Sequence, residues 1–164
     1  METKDVELHR ITSTAIIRKD GKYLIVKRSP NKKVFPNRWT VPGGGLELSD
    51  YVDTPKTTPE AWYYALETSL KREVIEEVNL EIDNLKYLLD LVFLPANNIP
   101  VITFSYYADW KSGEVKLNDE NVEYVWVTAE EAKNYDLISG IAQEIEMTDR
   151  ILKGEKNVKF SYKK

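Results

Sequence analysis

The chain contains no cysteine and only one histidine, His9. Without cysteine it has no disulfides, no thiolate metal site and no cysteine nucleophile. No stretch approaches the roughly 18 apolar residues that a membrane-spanning helix needs. The first ten residues are charged and lack the apolar core of a signal peptide. These absences favour a cytoplasmic protein with no membrane role.

The chain also has fewer basic than acidic residues. The formal net charge is −4 and the pI is near 5.2, whereas proteins that coat DNA or RNA are basic. A coating role on nucleic acid is therefore disfavoured. With 164 residues, 42% of them hydrophobic, the chain is long enough for one sizeable core and too short for two ordinary domains. We expect residues 1–164 to form a single domain.

The residue pattern predicts strand pairs mixed with helices. Residues 11–18 and 22–28 are rich in β-branched and aliphatic residues, and Asp20-Gly21 between them is a strong hairpin signal. A capping box at Thr128 and Glu131 predicts a short helix. Further strands are predicted at 87–94, 101–110, 122–127 and 158–162, and longer helices at 139–153 and from Thr57 or Thr58 to Val78. This mixture indicates an α/β domain with a mixed sheet.

Three glutamates share one face of the helix predicted to end at Val78. Glu73, Glu76 and Glu77 stand at positions i, i+3 and i+4, so their side chains project about 5–6 Å apart. The opposite side of the segment is aliphatic and carries Val74, Ile75 and Val78. One face therefore packs, while the other presents carboxylates.

A solvated acidic surface is the simplest alternative interpretation of these glutamates. However, Glu73 and Glu77 form a like-charge i,i+4 pair, which costs roughly 0.2–0.5 kcal/mol. Only Arg72, four residues before Glu76, is placed to compensate within the helix. A hard divalent cation such as Mg²⁺ prefers clustered oxygen ligands, so the cluster is also typical of a metal site.

Three consecutive glycines, Gly43-Gly44-Gly45, follow a presumed short strand. Backbone without Cβ atoms allows very close approach by another group. A flexible turn is the alternative interpretation, but glycines combined with the glutamate face indicate a ligand site.

Together these segments resemble the Nudix box, Gly-x5-Glu-x7-Arg-Glu-U-x-Glu-Glu-x-Gly-U, in which U is aliphatic. The second half matches at residues 72–80. The first half matches at residues 39–47, with Gly44 as the box glycine. Residues 24–28 and 124–127 are similar to the family's flanking strands, so the resemblance covers most of residues 11–135.

The chain departs from the box at three places. Asp50 stands where the family has its first glutamate, and Asn79 replaces the final glycine. Between Asp50 and Arg72 there are 21 residues rather than seven, an insertion of 14 at about residues 51–64. If one straight helix ran through the insertion, its first half would be apolar on the face that is acidic in its second half. We therefore predict that a loop or a partner subunit covers residues 59–70, or that the helix bends near Lys71. Such an insertion would wall the active-site cleft, with plain structural padding as the alternative, and a homodimer is slightly favoured.

The resemblance implies a Nudix-type α/β/α sandwich with a curved mixed β-sheet. It implies a hydrolase that cleaves a diphosphate bond in a nucleoside diphosphate linked to another moiety, so the partner is a small nucleotide-like molecule. Mg²⁺ or Mn²⁺ would activate water. The implied metal ligands are Glu76, Glu77 and the Gly43 carbonyl, with Glu73 as a further ligand or water activator and Glu120 as a candidate from a later loop.

The remaining implied site residues contact substrate or position other groups. Arg72 would orient a box glutamate, and Arg28 would contact phosphate. Trp39 would stack on a base, with Gly44 and Gly45 facing the substrate. Core packing for Trp39 and a solvated loop for Glu120 remain open alternatives.

Three other functions are weighed against hydrolysis. A catalytically silent Nudix-like sensor would bind a nucleotide without cleaving it, although it would not need all three glutamates. An isomerase similar to isopentenyl diphosphate isomerase is disfavoured because the chain lacks cysteine. An unrelated acidic α/β binding protein would not bind magnesium.

Overall fold

The computed structural model describes residues 7–96 and 98–162. It contains seven strands and four helices in this part of the chain. In chain order they are β1 Arg10–Lys19, β2 Lys22–Arg28, β3 Trp39–Thr40, β4 Gly43–Gly45, α1 Ser49–Val52, α2 Ala65–Val78, β5 Glu81–Phe93, β6 Val101–Ser112, β7 Asn121–Val127, α3 Ala129–Ala132 and α4 Ile141–Leu152.

The strands form one mixed sheet whose main path runs β3-β2-β1-β6-β5. Strands β1 and β6 are parallel, and the other pairings are antiparallel. Strand β7 pairs with β2, and β4 pairs with the first half of β1. Asp20 and Gly21 both have positive φ, 50° and 74°, which confirms the predicted hairpin between β1 and β2.

Helices cover both faces of this sheet. Alternate residues of β1 point to opposite sides, so Ile16 packs with α4 while Ile17 packs with α2. On the α2 side the aliphatic helix face is fully buried at Leu70, Val74 and Val78. The predicted α/β class with a curved mixed sheet between helices is confirmed.

The predicted start of the box helix was wrong. Helix α2 begins at Ala65, after Tyr64 adopts a left-handed φ of 61°. The Thr58 and Thr57 hydroxyls accept hydrogen bonds from the amides of Ala61 and Tyr63, so they stabilise a tight loop instead of a helix. The insertion therefore lies outside the helix, and the expected conflict between an apolar and an acidic helix face does not arise.

Other element predictions differ mainly at their boundaries. Strand β5 begins at Glu81, six residues before the predicted start at residue 87, and residues 158–162 form no strand. The capping box at Thr128 is present, with both of its hydrogen bonds. Asn79, which replaces the final box glycine, ends α2 in the left-handed region, a conformation that asparagine tolerates. Within residues 7–96 and 98–162, no helix has both the length and the apolar character to cross a membrane.

Candidate active site

The three glycines form a strand rather than a turn. Gly43, Gly44 and Gly45 pair antiparallel with residues 14, 13 and 12 of β1. A Cβ atom on Gly43 would lie 2.2 Å from the carbonyl oxygen of Ser13, much closer than any real contact. The sequence uses glycine here because β1 leaves no room for a side chain.

On the other side of this strand, Gly44 makes room for a carboxylate. A Cβ atom on Gly44 would lie 2.2 Å from the carboxyl carbon of Glu73. Helix α2 packs directly on β4, so Glu73 lies against bare backbone. Two of the predicted site elements, the glycines and the box helix, are thus in contact.

Glu77 is the most buried of the three glutamates, with 5% of its surface exposed. The Gly43 amide donates a hydrogen bond to its Oε2 atom at 3.1 Å. Burial raises the pKa of Glu77 to about 7, and the negative charges of Glu120 and Glu73 act in the same direction. The site therefore holds more negative charge than its own donors neutralise, which suits a cation.

Arg72 connects the carboxylates. Its Nε and Nη2 atoms bind the two carboxylate oxygens of Asp50 at 2.5 and 3.0 Å. Its Nη1 atom donates to Glu73 and to Glu76, each at 3.0 Å. The Gly45 carbonyl accepts a further bond from Nη2 at 3.1 Å. Arg72 thus ties α2 to both the glycine strand and the start of the insertion.

Asp50 provides the fixed end of this network. Its side chain is 1% exposed, and it also accepts the Glu47 amide at 2.8 Å. The hydrogen bonds from Arg72 are the main reason that the pKa of Asp50 falls to about 2. The shorter acid at the first box position therefore still forms a bidentate pair with the box arginine.

We expect Asp50→Asn to destabilise the protein by about 2 kcal/mol at pH 7, because Asn keeps the shape but cannot pair its charge with Arg72. A carboxylate with a depressed pKa stabilises the fold above its unfolded pKa near 3.8 and loses that effect as pH falls towards 2. The deficit measured by urea denaturation should therefore shrink on acidification. Asp53→Asn, at an exposed position of the same segment, is the matched control. Equal midpoints for the Asp50 and Asp53 variants at pH 7 would contradict this role.

Two cationic side chains and Glu120 border the same site. The Lys32 ammonium contacts the Glu120 carboxylate at 2.5 Å. Arg28 donates from Nε and Nη2 to the Val34 carbonyl at 3.1 and 3.0 Å. Burial lowers the pKa of Arg28, while the charges of Glu77 and Glu120 raise it. Glu120, Glu77 and Arg28 are therefore close enough for their charges to influence one another.

The acidic side chains are not yet arranged around a common point. Within the described ranges, no three His, Cys, Asp or Glu side chains form a group that could hold a metal ion. Arg72 holds Glu73 and Glu76, and Lys32 holds Glu120. The donor chemistry still fits a hard cation, since the carboxylates are all oxygen donors and the buried Glu77 is undercompensated. Glu73 and Glu76 would have to turn away from Arg72, and Glu120 from Lys32, before they could bind one cation together.

Trp39 does not fit its predicted stacking role. Its side chain belongs to the core cluster on the α4 side, is only 9% exposed and packs edge-on against Tyr135 at 5.0 Å. Core packing, the alternative considered from the sequence, explains it. Ser69, which was not predicted as a site residue, also lies here, and its hydroxyl donates to the Gly45 carbonyl at 3.2 Å. Its position four residues before Glu73 on the same helix face was the available signal.

Comparison with known proteins gives a consistent assignment. A family model described as the NUDIX domain matches residues 7–146. Nucleoside triphosphatase NudI of Escherichia coli (strain K12) is 28% identical over 138 residues, which cover 74% of this chain and 84% of NudI. This relative is described as acting on nucleoside triphosphates.

Solved structures share the fold. The MutT protein from Methanosarcina mazei Go1 superposes with a TM-score of 0.66 at 25% identity, over 89% of this chain and 96% of that one. A NUDIX hydrolase from Alicyclobacillus acidocaldarius gives a TM-score of 0.68 at 15% identity, over 85% and 90% of the two chains. Because the family model spans most of the chain and includes its glycine strand and glutamate helix, the protein belongs to the Nudix family of hydrolases.

Proposed function

We propose that this protein hydrolyses a diphosphate bond in a nucleoside triphosphate or in a nucleoside diphosphate linked to another moiety, with a divalent cation and a water molecule. The single observation that carries the proposal is the contact between the glycine strand and the carboxylates of α2. Glu73 lies against Gly44, and Glu77 accepts the Gly43 amide. The similarity to NudI supports nucleoside triphosphates as the first substrates to test.

In this proposal the metal ligands are carboxylates of α2. Glu73, Glu76 and Glu77 would hold Mg²⁺ or Mn²⁺, with the Gly43 carbonyl and Glu120 as additional oxygen donors. When bound, the cation would supply positive charge to the diphosphate and lower the pKa of the attacking water. Arg72 would keep Glu73 and Glu76 beside the site through its 3.0 Å hydrogen bonds, and both carboxylates would leave these bonds on binding a cation. The orientation of Arg72 is held by Asp50.

Substrate contacts are proposed for the rim of the same site. Arg28 lies beside Glu77 and Glu120 and offers a guanidinium for phosphate oxygens. Gly44 and Gly45 are proposed to contact the substrate through backbone atoms alone, because Glu73 and Arg10 fill the space where their side chains would lie. Lys32 is freed for the substrate when Glu120 takes part in cation binding. The chain is proposed to act as one domain, since both core clusters pack on the same sheet.

A panel of nucleoside triphosphates, nucleotide sugars and dinucleotide polyphosphates with Mg²⁺ tests this proposal. We expect turnover of at least one class, with ¹⁸O from labelled water appearing in a phosphate product by mass spectrometry. The Glu76→Gln/Glu77→Gln variant should lose this activity. Equal turnover by that variant would overturn the mechanism. Binding without turnover across the panel would favour the silent sensor instead.

A further inference from the structure

Strand β1 carries a buried hydroxyl without a partner, and it lies behind the carboxylates of the box helix. Ser13 is 1% exposed. Within residues 7–96 and 98–162, its Oγ atom has no hydrogen-bond partner. Burial of an unpaired hydroxyl is unfavourable, and most buried polar atoms in proteins do have a partner. The hydroxyl of Ser13 therefore needs an explanation beyond packing.

Ser13 faces the same side of the sheet as Glu73. Successive side chains of a strand point to opposite faces, and Ala15 and Ile17 of β1 pack in the cluster with α2. Ser13, two residues before Ala15, therefore points towards α2 as well. It pairs directly with Gly44 of β4, and the Glu73 carboxylate fills the place where a side chain on Gly44 would begin. The hydroxyl and the carboxylate thus lie over the same cross-strand pair.

The gap between these two groups is small. Directly opposed residues of an antiparallel pair have Cβ atoms about 5 Å apart. Because the Glu73 carboxylate fills the Cβ position of Gly44, the Ser13 Cβ atom is also about 5 Å from that carboxylate. The two groups are therefore neighbours without a hydrogen bond between them, and a rotation of the Glu73 side chain can bring an oxygen within reach of the hydroxyl.

Arg72 is the residue that now holds Glu73. Its Nη1 atom donates a hydrogen bond to Oε1 of Glu73 at 3.0 Å. In the proposed function Glu73 leaves this bond to bind a cation, so it loses its donor. Carboxylates that bind a metal ion are themselves usually hydrogen-bonded by a neighbouring group, which fixes their orientation. After this movement Glu73 needs a second donor, and the unpaired hydroxyl lies beside it.

We propose that Ser13 is a positioning residue, whose hydroxyl donates a hydrogen bond to the Glu73 carboxylate after Glu73 has left Arg72 for a divalent cation. This inference rests on the proposed function. One carboxylate oxygen then faces the cation, and Ser13 holds the other. A donor that is unpaired without the cation and satisfied with it explains why a buried hydroxyl is tolerated here. An ordered water is the competing explanation for Oγ, and it predicts no connection between Ser13 and cation binding.

Binding of Mn²⁺ alone, without nucleotide, tests this role and is followed by the electron paramagnetic resonance signal of the free ion. Hydrogen-bond partners of metal ligands typically contribute about 10–100-fold to metal affinity. Ser13→Ala should therefore raise the Mn²⁺ dissociation constant by about tenfold or more. Its metal-free urea midpoint should stay at or above the wild-type value, because the variant loses only an unpaired hydroxyl.

Thr148→Val is the matched control. Thr148 is fully buried and its Oγ1 atom is also unpaired within the described residues, but it lies on α4, which packs on the opposite face of the sheet. This variant also loses an unpaired hydroxyl, so its metal-free midpoint should likewise not fall. Its Mn²⁺ affinity should equal that of the wild type, because Thr148 is remote from Glu73.

A double-mutant cycle identifies the partner of Ser13. Glu73→Ala removes the acceptor and leaves Glu76 and Glu77 as ligands, so Mn²⁺ binding stays measurable. In this background Ser13→Ala should change the dissociation constant by less than about twofold, because residues that act through one contact are not additive. An undiminished effect of Ser13→Ala in the Glu73→Ala background would show that Ser13 acts through another group, and the assignment would be wrong.

Two further results would reject the role of Ser13 and leave the proposed function intact. The first is equal Mn²⁺ affinity of the wild type and Ser13→Ala, which would identify the hydroxyl as a group satisfied by water. The second is a metal-free midpoint of Ser13→Ala clearly below that of the wild type, which would show that the hydroxyl already has a partner. Absence of Mn²⁺ binding by the wild type would instead reject the proposed function, and this inference with it.

Discussion

Glu77→Gln is expected to make the metal-free protein more stable at pH 8 while abolishing its hydrolytic activity. The wild-type carboxylate is buried, and the amide hydrogen bond from Gly43 and the charge of Arg28 compensate it only in part. Gln keeps the size and an oxygen that accepts this bond, but it carries no charge. The displacement of the Glu77 pKa to about 7 corresponds to a gain of about 1–3 kcal/mol for the variant.

The pH dependence has a definite direction. Because the folded-state pKa of Glu77 lies above its unfolded value near 4.5, the native protein holds this proton more tightly than the unfolded chain. The wild type therefore loses stability from this group as pH rises from about 4.5 to about 7. The advantage of the variant should be absent at pH 4, grow through that window and level off above it. Urea denaturation without divalent cations measures the difference.

Activity and cation response should change in the opposite sense. Loss of one preorganised charged group at a reacting centre costs on the order of 10²–10³-fold in rate. Mg²⁺ should raise the wild-type unfolding midpoint by preferential binding to the native state, and it should do so much less in Glu77→Gln. Glu76→Gln is the control for stability, since Glu76 is half-exposed and its metal-free unfolding should change by less than about 0.5 kcal/mol. A Glu77→Gln variant less stable than wild type at pH 8 would disprove the claim that the buried Glu77 carboxylate destabilises the fold.

Local sequence signals were most reliable where a single backbone conformation was at stake. Asp20-Gly21 predicted the hairpin because the tight turn requires two positive φ values. Asn79 marks the end of α2 because that position also requires a positive φ. The glutamate face was readable because helical periodicity and charge agreed. The fold class followed from the order of these elements and from the resemblance to the box.

The insertion shows why such signals fail over longer distances. Thr57 and Thr58 have the chemistry of helix caps, but their hydroxyls bind amides within a short loop. Trp62 packs edge-on against Tyr51 at 5.5 Å instead of joining the helix face. A threonine with the chemistry of a helix cap indicates that nearby amides need acceptors, but it does not indicate whether a helix follows. Only the left-handed Tyr64, a conformation that tyrosine rarely adopts, separates the loop from α2.

The roles of individual site residues depend on tertiary contacts, which cannot be read directly from local patterns in one sequence. Trp39 was considered for base stacking with core packing as the alternative, and it is buried against Tyr135. Glu144 of α4 was not singled out from the sequence, yet it is 1% exposed. Its carboxyl shares a hydrogen bond with Ser105 of β6, 39 residues earlier in the chain. A charged residue inside an apolar stripe is the signal that deserved separate treatment.

The three consecutive glycines offer the sharpest separation of stability from catalysis, because an added Cβ atom meets a different neighbour at each. At Gly43 it meets the β1 backbone, with Ser13 oxygen at 2.2 Å and Thr14 Cα at 2.7 Å. Backbone in the middle of a sheet cannot move easily, so Gly43→Ala should cost about 1–3 kcal/mol, as overpacked cores do. At Gly45 the nearest atom is the end of the flexible Arg10 side chain at 3.1 Å. Gly45→Ala should therefore change the free energy of unfolding little.

Gly44→Ala should leave the fold intact and impair catalysis. The atoms nearest to its Cβ atom would be those of the Glu73 carboxylate, at 2.2–2.4 Å, and this side chain can swing away at little cost in stability. The displaced carboxylate would then be more than 1 Å from its original position, an error that costs on the order of 10²-fold in rate. Urea midpoints and kcat/KM for the three variants test the pattern. If Gly44→Ala retained full activity, the position of Glu73 would not depend on the bare backbone beside it, and this account of the glycine would be wrong.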